Sequence, residues 1–112
     1  MFDETIISKV KDFMDLCVKN KIYIATAESC TGGLLAAYIT SLPGSSLIFD
    51  RGFVTYSNDA KHRILNIPIE MINKYGAVSE EICTEMVKKT LQYSANLSIS
   101  ITGIAGPTGS DA

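Results

Sequence analysis

The chain is predicted to adopt an α/β fold, a three-layer α/β/α sandwich on a mixed, mainly parallel sheet. Three observations predict it. Segments with helical apolar spacing alternate with short apolar runs in the order helix–strand–helix–strand–helices–strand. The strand-like runs are apolar enough to be covered on both faces of a sheet. Each of them opens into a loop carrying Gly, Ser, Thr or Asn, namely "ESCTGG", "TYSNDAK" and "TGIAGPTG".

From Ile6 to Val18 the residues Ile6, Ile7, Val10, Phe13, Met14, Cys17 and Val18 recur at helical spacing. They predict a surface helix over roughly 3–19 with one buried stripe, broken by "KNK". "IYIATA" (22–27) is β-branched and apolar, a buried strand. After the "ESCTGG" turn, "LLAAYITSL" (34–42) resumes a helical pattern that Pro43 and Gly44 end. "FDRGFVTYS" (49–57) is a second strand. Ser57 is placed to cap "NDAKHRIL" (58–65), with Asp59 in the first turn. A helix within 67–76 has Pro68 near its start and Gly76 past its end. Ser79 then caps a helix over 80–95, and "LSISITG" (97–103) is a third strand opening into "IAGPTGSDA".

A chain of 112 residues is one domain at most. With 46% hydrophobic and 20% charged residues it reads as a soluble globular protein rather than a disordered one. Its net charge is −2 and its basic residues are scattered, the densest group being Lys88 and Lys89, so no nucleic-acid or membrane partner is expected. Three cysteines, an odd number with no C-x-x-C, argue against a disulfide framework or zinc site and for a reducing, cytoplasmic setting. The amphipathic, acid-bearing start lacks the features of a signal peptide, and no apolar run approaches the roughly 20 residues of a membrane span.

All three loops sit at the carboxyl ends of strands, where short loops of an α/β sheet converge on one crevice. In "ESCTGG" the glycines allow close backbone approach, and the following helix offers unpaired N–H groups and a positive dipole end. That suits a phosphate or the oxyanion of an acyl transfer. The loop is neither a Walker A sequence nor G-x-S-x-G; its plainer reading is a strand–turn–helix connection with a threonine cap. Serine needs a base to take its proton. The sole histidine, His62, reads as a solvated helix-face residue beside Lys61 and Arg63. Without it the next choices are Tyr56 and Lys61, five residues apart across a strand-to-helix turn, though taken alone Lys61 reads as an ordinary exposed lysine. Cys30 could be the nucleophile at a helix N-terminus, but ranks below Ser29 and is expected to pack away from the site. "TGIAGPTG" either wraps a ligand with its amides or is a turn-rich exit loop.

Four blocks, "TAESCTGG" (26–33), "GSSLIFDRGFVTYSNDAK" (44–61), "YGAVSEE" (75–81) and "TGIAGP" (102–107), together resemble the CinA C-terminal domain family, the nicotinamide-nucleotide amidases of PncC type. The blocks fall in the same order and cover most of the chain from Tyr23 onward. The resemblance implies hydrolysis of the carboxamide of nicotinamide mononucleotide, giving nicotinate mononucleotide and ammonia in pyridine nucleotide recycling. It implies Ser29 as the catalytic residue, supported by Tyr56 and Lys61, with Thr102 in the site region. The expected substrate-binding set is Glu28, Cys30, Thr31, Gly32 and Gly33 from the first loop, and Thr102 and Gly103 from the third. Thr31 is expected to cap or to contact the ligand. No cofactor and no metal are expected, since no Asp/Glu/His cluster has ligand spacing. The expected partner is a small nucleotide substrate, with a homodimer implied at family level.

The family normally continues past "GIAGP-x-G" with further strands and a helix carrying an arginine that helps the active site, whereas this chain reads "GPTGSDA". The expectation is a single domain over 1–112 without those C-terminal elements. A second reading from another class follows, a non-catalytic nucleotide-binding or interaction module that keeps the loops without turnover.

Overall fold

The computed structural model describes residues 2–93 and 95–104. Of the exit loop predicted over 104–112, residues 105–112 lie outside the described residues. Helix α1 runs Glu4–Asn20, with the Asp3 carboxylate accepting from the N–H groups of Thr5 and Ile6 at its start. It ends at Lys21 in the left-handed conformation (φ 55°). Strand β1 (Ile24–Glu28) is buried at every position. Helix α2 (Leu34–Thr40) and a 3-10 turn at Ser45–Leu47, which the sequence reading did not anticipate, lead to β2 (Phe49–Val54). Three helices follow, α3 (Asn58–Leu65), α4 (Ile69–Tyr75) and α5 (Glu80–Thr90), before β3 (Leu97–Ile101).

Most boundaries fall within a few residues of expectation because their signals are local. Ser57 caps α3, its hydroxyl accepting from Ala60 N–H, and Ser79 caps α5 through Ile82 N–H. The largest difference is the end of α5, predicted at 95 and found at Thr90. The last turn loosens there, and Asn96 instead anchors the approach to β3, accepting from Tyr23 N–H through its side chain.

The sheet is three-stranded in the order β2-β1-β3, and both pairings are parallel. The chain moves one way from β1 to β2, then back past β1 to β3. Crossovers of one hand travelling in opposite directions lie on opposite faces. Accordingly one core forms from Cys17, Ile24, Ile39 and Ile48 against α1 and α2. The other forms from Ala27, Leu65, Ile67, Ile72, Ile82 and Met86 against α3, α4 and α5. The result is the predicted three layers. Among the described residues, no helix is long and apolar enough to cross a membrane.

Candidate active site

The connection leaving β1 turns onto the α2 face and the one leaving β2 turns onto the α3 face. The connections therefore diverge, the arrangement that marks the switch point of an α/β sheet, where ligand sites of such sheets lie. Ser29, the first residue after β1, stands there. Its N–H donates to Ile101 carbonyl at 2.9 Å, while Thr55 N–H donates to Glu28 carbonyl at 2.9 Å. The parallel ladders thus run on past the strands and hold Ser29 between both neighbours.

Two left-handed glycines, Gly32 (φ 61°) and Gly33 (φ 99°), fold the chain back into α2. The expected threonine cap is not what starts the helix. Gly33 stands at the N-cap without a side chain, and Glu28 caps from β1. The Glu28 carboxylate accepts from Leu35 N–H at 2.8 Å, Ala36 N–H at 3.0 Å and the Thr31 hydroxyl at 2.7 Å. Glu28 is 1% exposed. The helix amides that the sequence offered to a phosphate are therefore occupied at Leu35 and Ala36, and a carboxylate already sits at the positive dipole end. The main-chain N–H groups of Cys30 and Thr31 have no acceptor among the described residues.

Lys61 is not the exposed lysine it reads as when taken alone, and stands beside Ser29 as the resemblance implied. It is 1% exposed rather than solvated, because it shares the buried stripe of α3 with Leu65, one turn on. Its Nζ lies 3.0 Å from Ser29 Oγ and donates to Tyr56 carbonyl at 3.1 Å. The hydroxyl of Ser29, a residue only 6% exposed, reaches the same carbonyl at 3.4 Å. Burial pushes the Lys61 amine below its ordinary value of 10.5, and the Cys30 thiol partly offsets this. A lysine whose charged form burial disfavours, standing beside a serine hydroxyl, is a candidate proton acceptor within hydrogen-bond reach of a nucleophile.

The whole stretch from residue 7 to 112 matches the family described as the CinA C-terminal domain. The chain belongs to that family. A nicotinamide-nucleotide amidohydrolase PncC from Enterobacter agglomerans is 50% identical over 91 residues, which is 80% of this chain and 56% of that protein. A CinA-like protein of Prochlorococcus marinus is 55% identical over 94 residues, 81% of this chain but only 22% of that protein. Among solved structures, the competence/damage inducible protein CihA of Agrobacterium tumefaciens superposes with a TM-score of 0.93 at 40% identity, covering all of this chain and 68% of its own. The chain thus spans from about a fifth to just over half the length of these curated relatives.

Within this CinA C-terminal domain the remaining predicted residues are distributed unevenly. Tyr56 is 64% exposed, and what it brings to Ser29 and Lys61 is its main-chain carbonyl. Its phenol makes no hydrogen bond among the described residues. Cys30 does not turn away as expected: its thiol biases the Lys61 amine, and its sulfur lies 3.3 Å from where a Cβ on Gly103 would sit. Gly103 therefore lets β3's exit approach the nucleophile turn. The Thr102 hydroxyl donates to Ala77 carbonyl at 2.9 Å, tying β3 to the segment before α5. His62 is half-buried rather than solvated; its Nδ1 pairs with Ile67 carbonyl at 2.9 Å, which pins the turn between α3 and α4. The carbonyls of Tyr56 and Ile101 carry no side-chain signal, so no residue-type reading could have found them.

Proposed function

We propose that this chain is a metal-independent amidohydrolase domain acting on the carboxamide of nicotinamide mononucleotide. The contact that carries the reading is Lys61 Nζ at 3.0 Å from Ser29 Oγ, with both groups buried. Ser29 Oγ attacks the amide carbon as Lys61 takes its proton. The oxyanion that develops is met by the main-chain N–H groups of Cys30 and Thr31. Lys61 returns the proton to the amide nitrogen, the C–N bond breaks, and ammonia leaves behind a Ser29 ester. Lys61 then deprotonates water, which attacks the ester carbon; the bond to Ser29 Oγ breaks, Oγ takes the proton back from Lys61, and nicotinate mononucleotide is released. The choice of substrate rests on the amidohydrolase relative, 50% identical over 91 residues.

The test is release of ammonia and nicotinate mononucleotide from nicotinamide mononucleotide by the purified chain, without added metal, beside Ser29→Ala. Turnover that disappears in a folded Ser29→Ala supports the amidase. Binding of the nucleotide with no turnover by the wild type overturns it in favour of a binding module.

A further inference from the structure

The nucleophile turn depends on a side chain that the mechanism does not use. Glu28 ends β1, yet its carboxylate points into the start of α2, seven and eight residues further along the chain. It holds two helix amides and the Thr31 hydroxyl, while its own carbonyl is held by Thr55 N–H. The next residue is Ser29. Both ends of the Ser29–Gly33 turn are consequently fixed to one carboxylate, and the helix has no side-chain N-cap of its own. Both carboxylate oxygens accept hydrogen bonds from this chain, and the residue is 1% exposed, so a ligand has no access to it.

We infer that Glu28 is a positioning residue: its carboxylate clamps the start of α2 to the end of β1 and so aims Ser29 Oγ and the following amides. It does not contact substrate. The inference rests on reading Ser29 as the nucleophile, and it replaces the expected substrate contact at Glu28. Glu28→Gln keeps the shape but puts an NH2 donor against a backbone N–H donor, so one arm of the clamp is lost. Displacement of a reacting group by a fraction of an ångström to an ångström costs up to about 100-fold in rate.

The experiment compares wild type, Glu28→Gln and Thr31→Val as full chains, each shown to be folded by circular dichroism at the assay temperature. Thr31→Val removes one hydrogen bond at a half-buried turn position and keeps the variant set informative if Glu28→Gln does not fold. Turnover of nicotinamide mononucleotide gives kcat and KM separately, and product inhibition by nicotinate mononucleotide gives a Ki. Acetylation of Ser29 by p-nitrophenyl acetate, read by mass spectrometry, reports the nucleophile without reference to the natural substrate. In that reaction the Oγ–acetyl bond forms, p-nitrophenolate leaves and the hydroxyl proton passes to Lys61.

The expected result is kcat and acetylation rate lowered about 10- to 100-fold in Glu28→Gln and several-fold in Thr31→Val, with KM and Ki within about twofold of wild type. A rise in KM and Ki with kcat unchanged makes Glu28 a ligand contact and overturns the inference. A lowered melting temperature with wild-type kcat and acetylation makes it purely structural and overturns it equally. If the wild type is not acetylated at Ser29, the nucleophile reading and this inference fall together. Wild-type acetylation without nucleotide turnover removes the substrate alone, and the acetylation rates then decide the role of Glu28.

Discussion

At the scale of single residues, the decisive feature is a lysine where the sequence reads as surface. Nothing local distinguishes Lys61 from Lys74 or Lys88; what differs is that α3, packed against α4 and α5, turns its 61/65 stripe inward. Burial disfavours the charged form of the Lys61 amine, against the opposing pull of Cys30, and the neutral form is the one a general base requires. The rate of amide hydrolysis, as kcat/KM, is expected to climb with pH along a limb whose midpoint lies below 10.5, and a midpoint at or above 10.5 removes Lys61 as the base. The same shift has a stability consequence. Because the folded value lies below the unfolded one, the unfolded chain binds the extra proton between the two. Wild-type stability should therefore rise with pH through the lowered value and level off above 10.5, relative to Lys61→Met. Urea titrations of both proteins across that range check it, and parallel curves would show that Lys61 is not desolvated.

At the scale of elements, α2 is the least self-sufficient. It has seven residues, a glycine at its N-cap and no acidic residue in its first turn, too short to hold together in isolation. It is held by Glu28 from β1 and by Ile39 and Tyr38 in the core. Gly33 makes the connection possible, since at φ 99° a side chain is strained and a Cβ would also lie 3.3 Å from Val54 Cγ2. Gly33→Ala should cost about 1–2 kcal/mol of stability by urea denaturation, and should lower turnover because the strain falls on the nucleophile turn. An unaltered midpoint would mean the turn relaxes without cost. By contrast α3 and α5 carry their own serine caps and acidic first turns, which is why their starts were legible from the sequence.

At the scale of the whole molecule, β1 is the shared wall of both cores and the strand that delivers Ser29. Its partners, β2 and β3, present Thr55 and Ile101 to the turn on either side. Helix α5 closes the second core over this wall through Ile82 and Met86, both fully buried. Met86→Ala should destabilise the fold by about 2–5 kcal/mol, measured by chemical denaturation. A loss below about 1 kcal/mol would show that α5 collapses onto the space without cost.

What the sequence determined by itself is whatever propensity, capping and periodicity encode within one or two turns. That covers the α/β class, the order of elements, the starts of α3 and α5, and the position of Ser29, Gly32 and Gly33 at a strand-to-helix turn. The pairing of Ser29 with Lys61, 32 residues away, was one of the choices the residues left open and the one the resemblance implied, and it is a contact that tertiary structure decides. So are the inward turn of Glu28, the approach of Cys30 to Gly103 and the use of Tyr56's carbonyl in place of its phenol. The physical reason is common to all of them. Burial and the partner across a crevice depend on which helix face meets the sheet and on where the chain reverses past β1, and neither is written in the neighbours of any one residue.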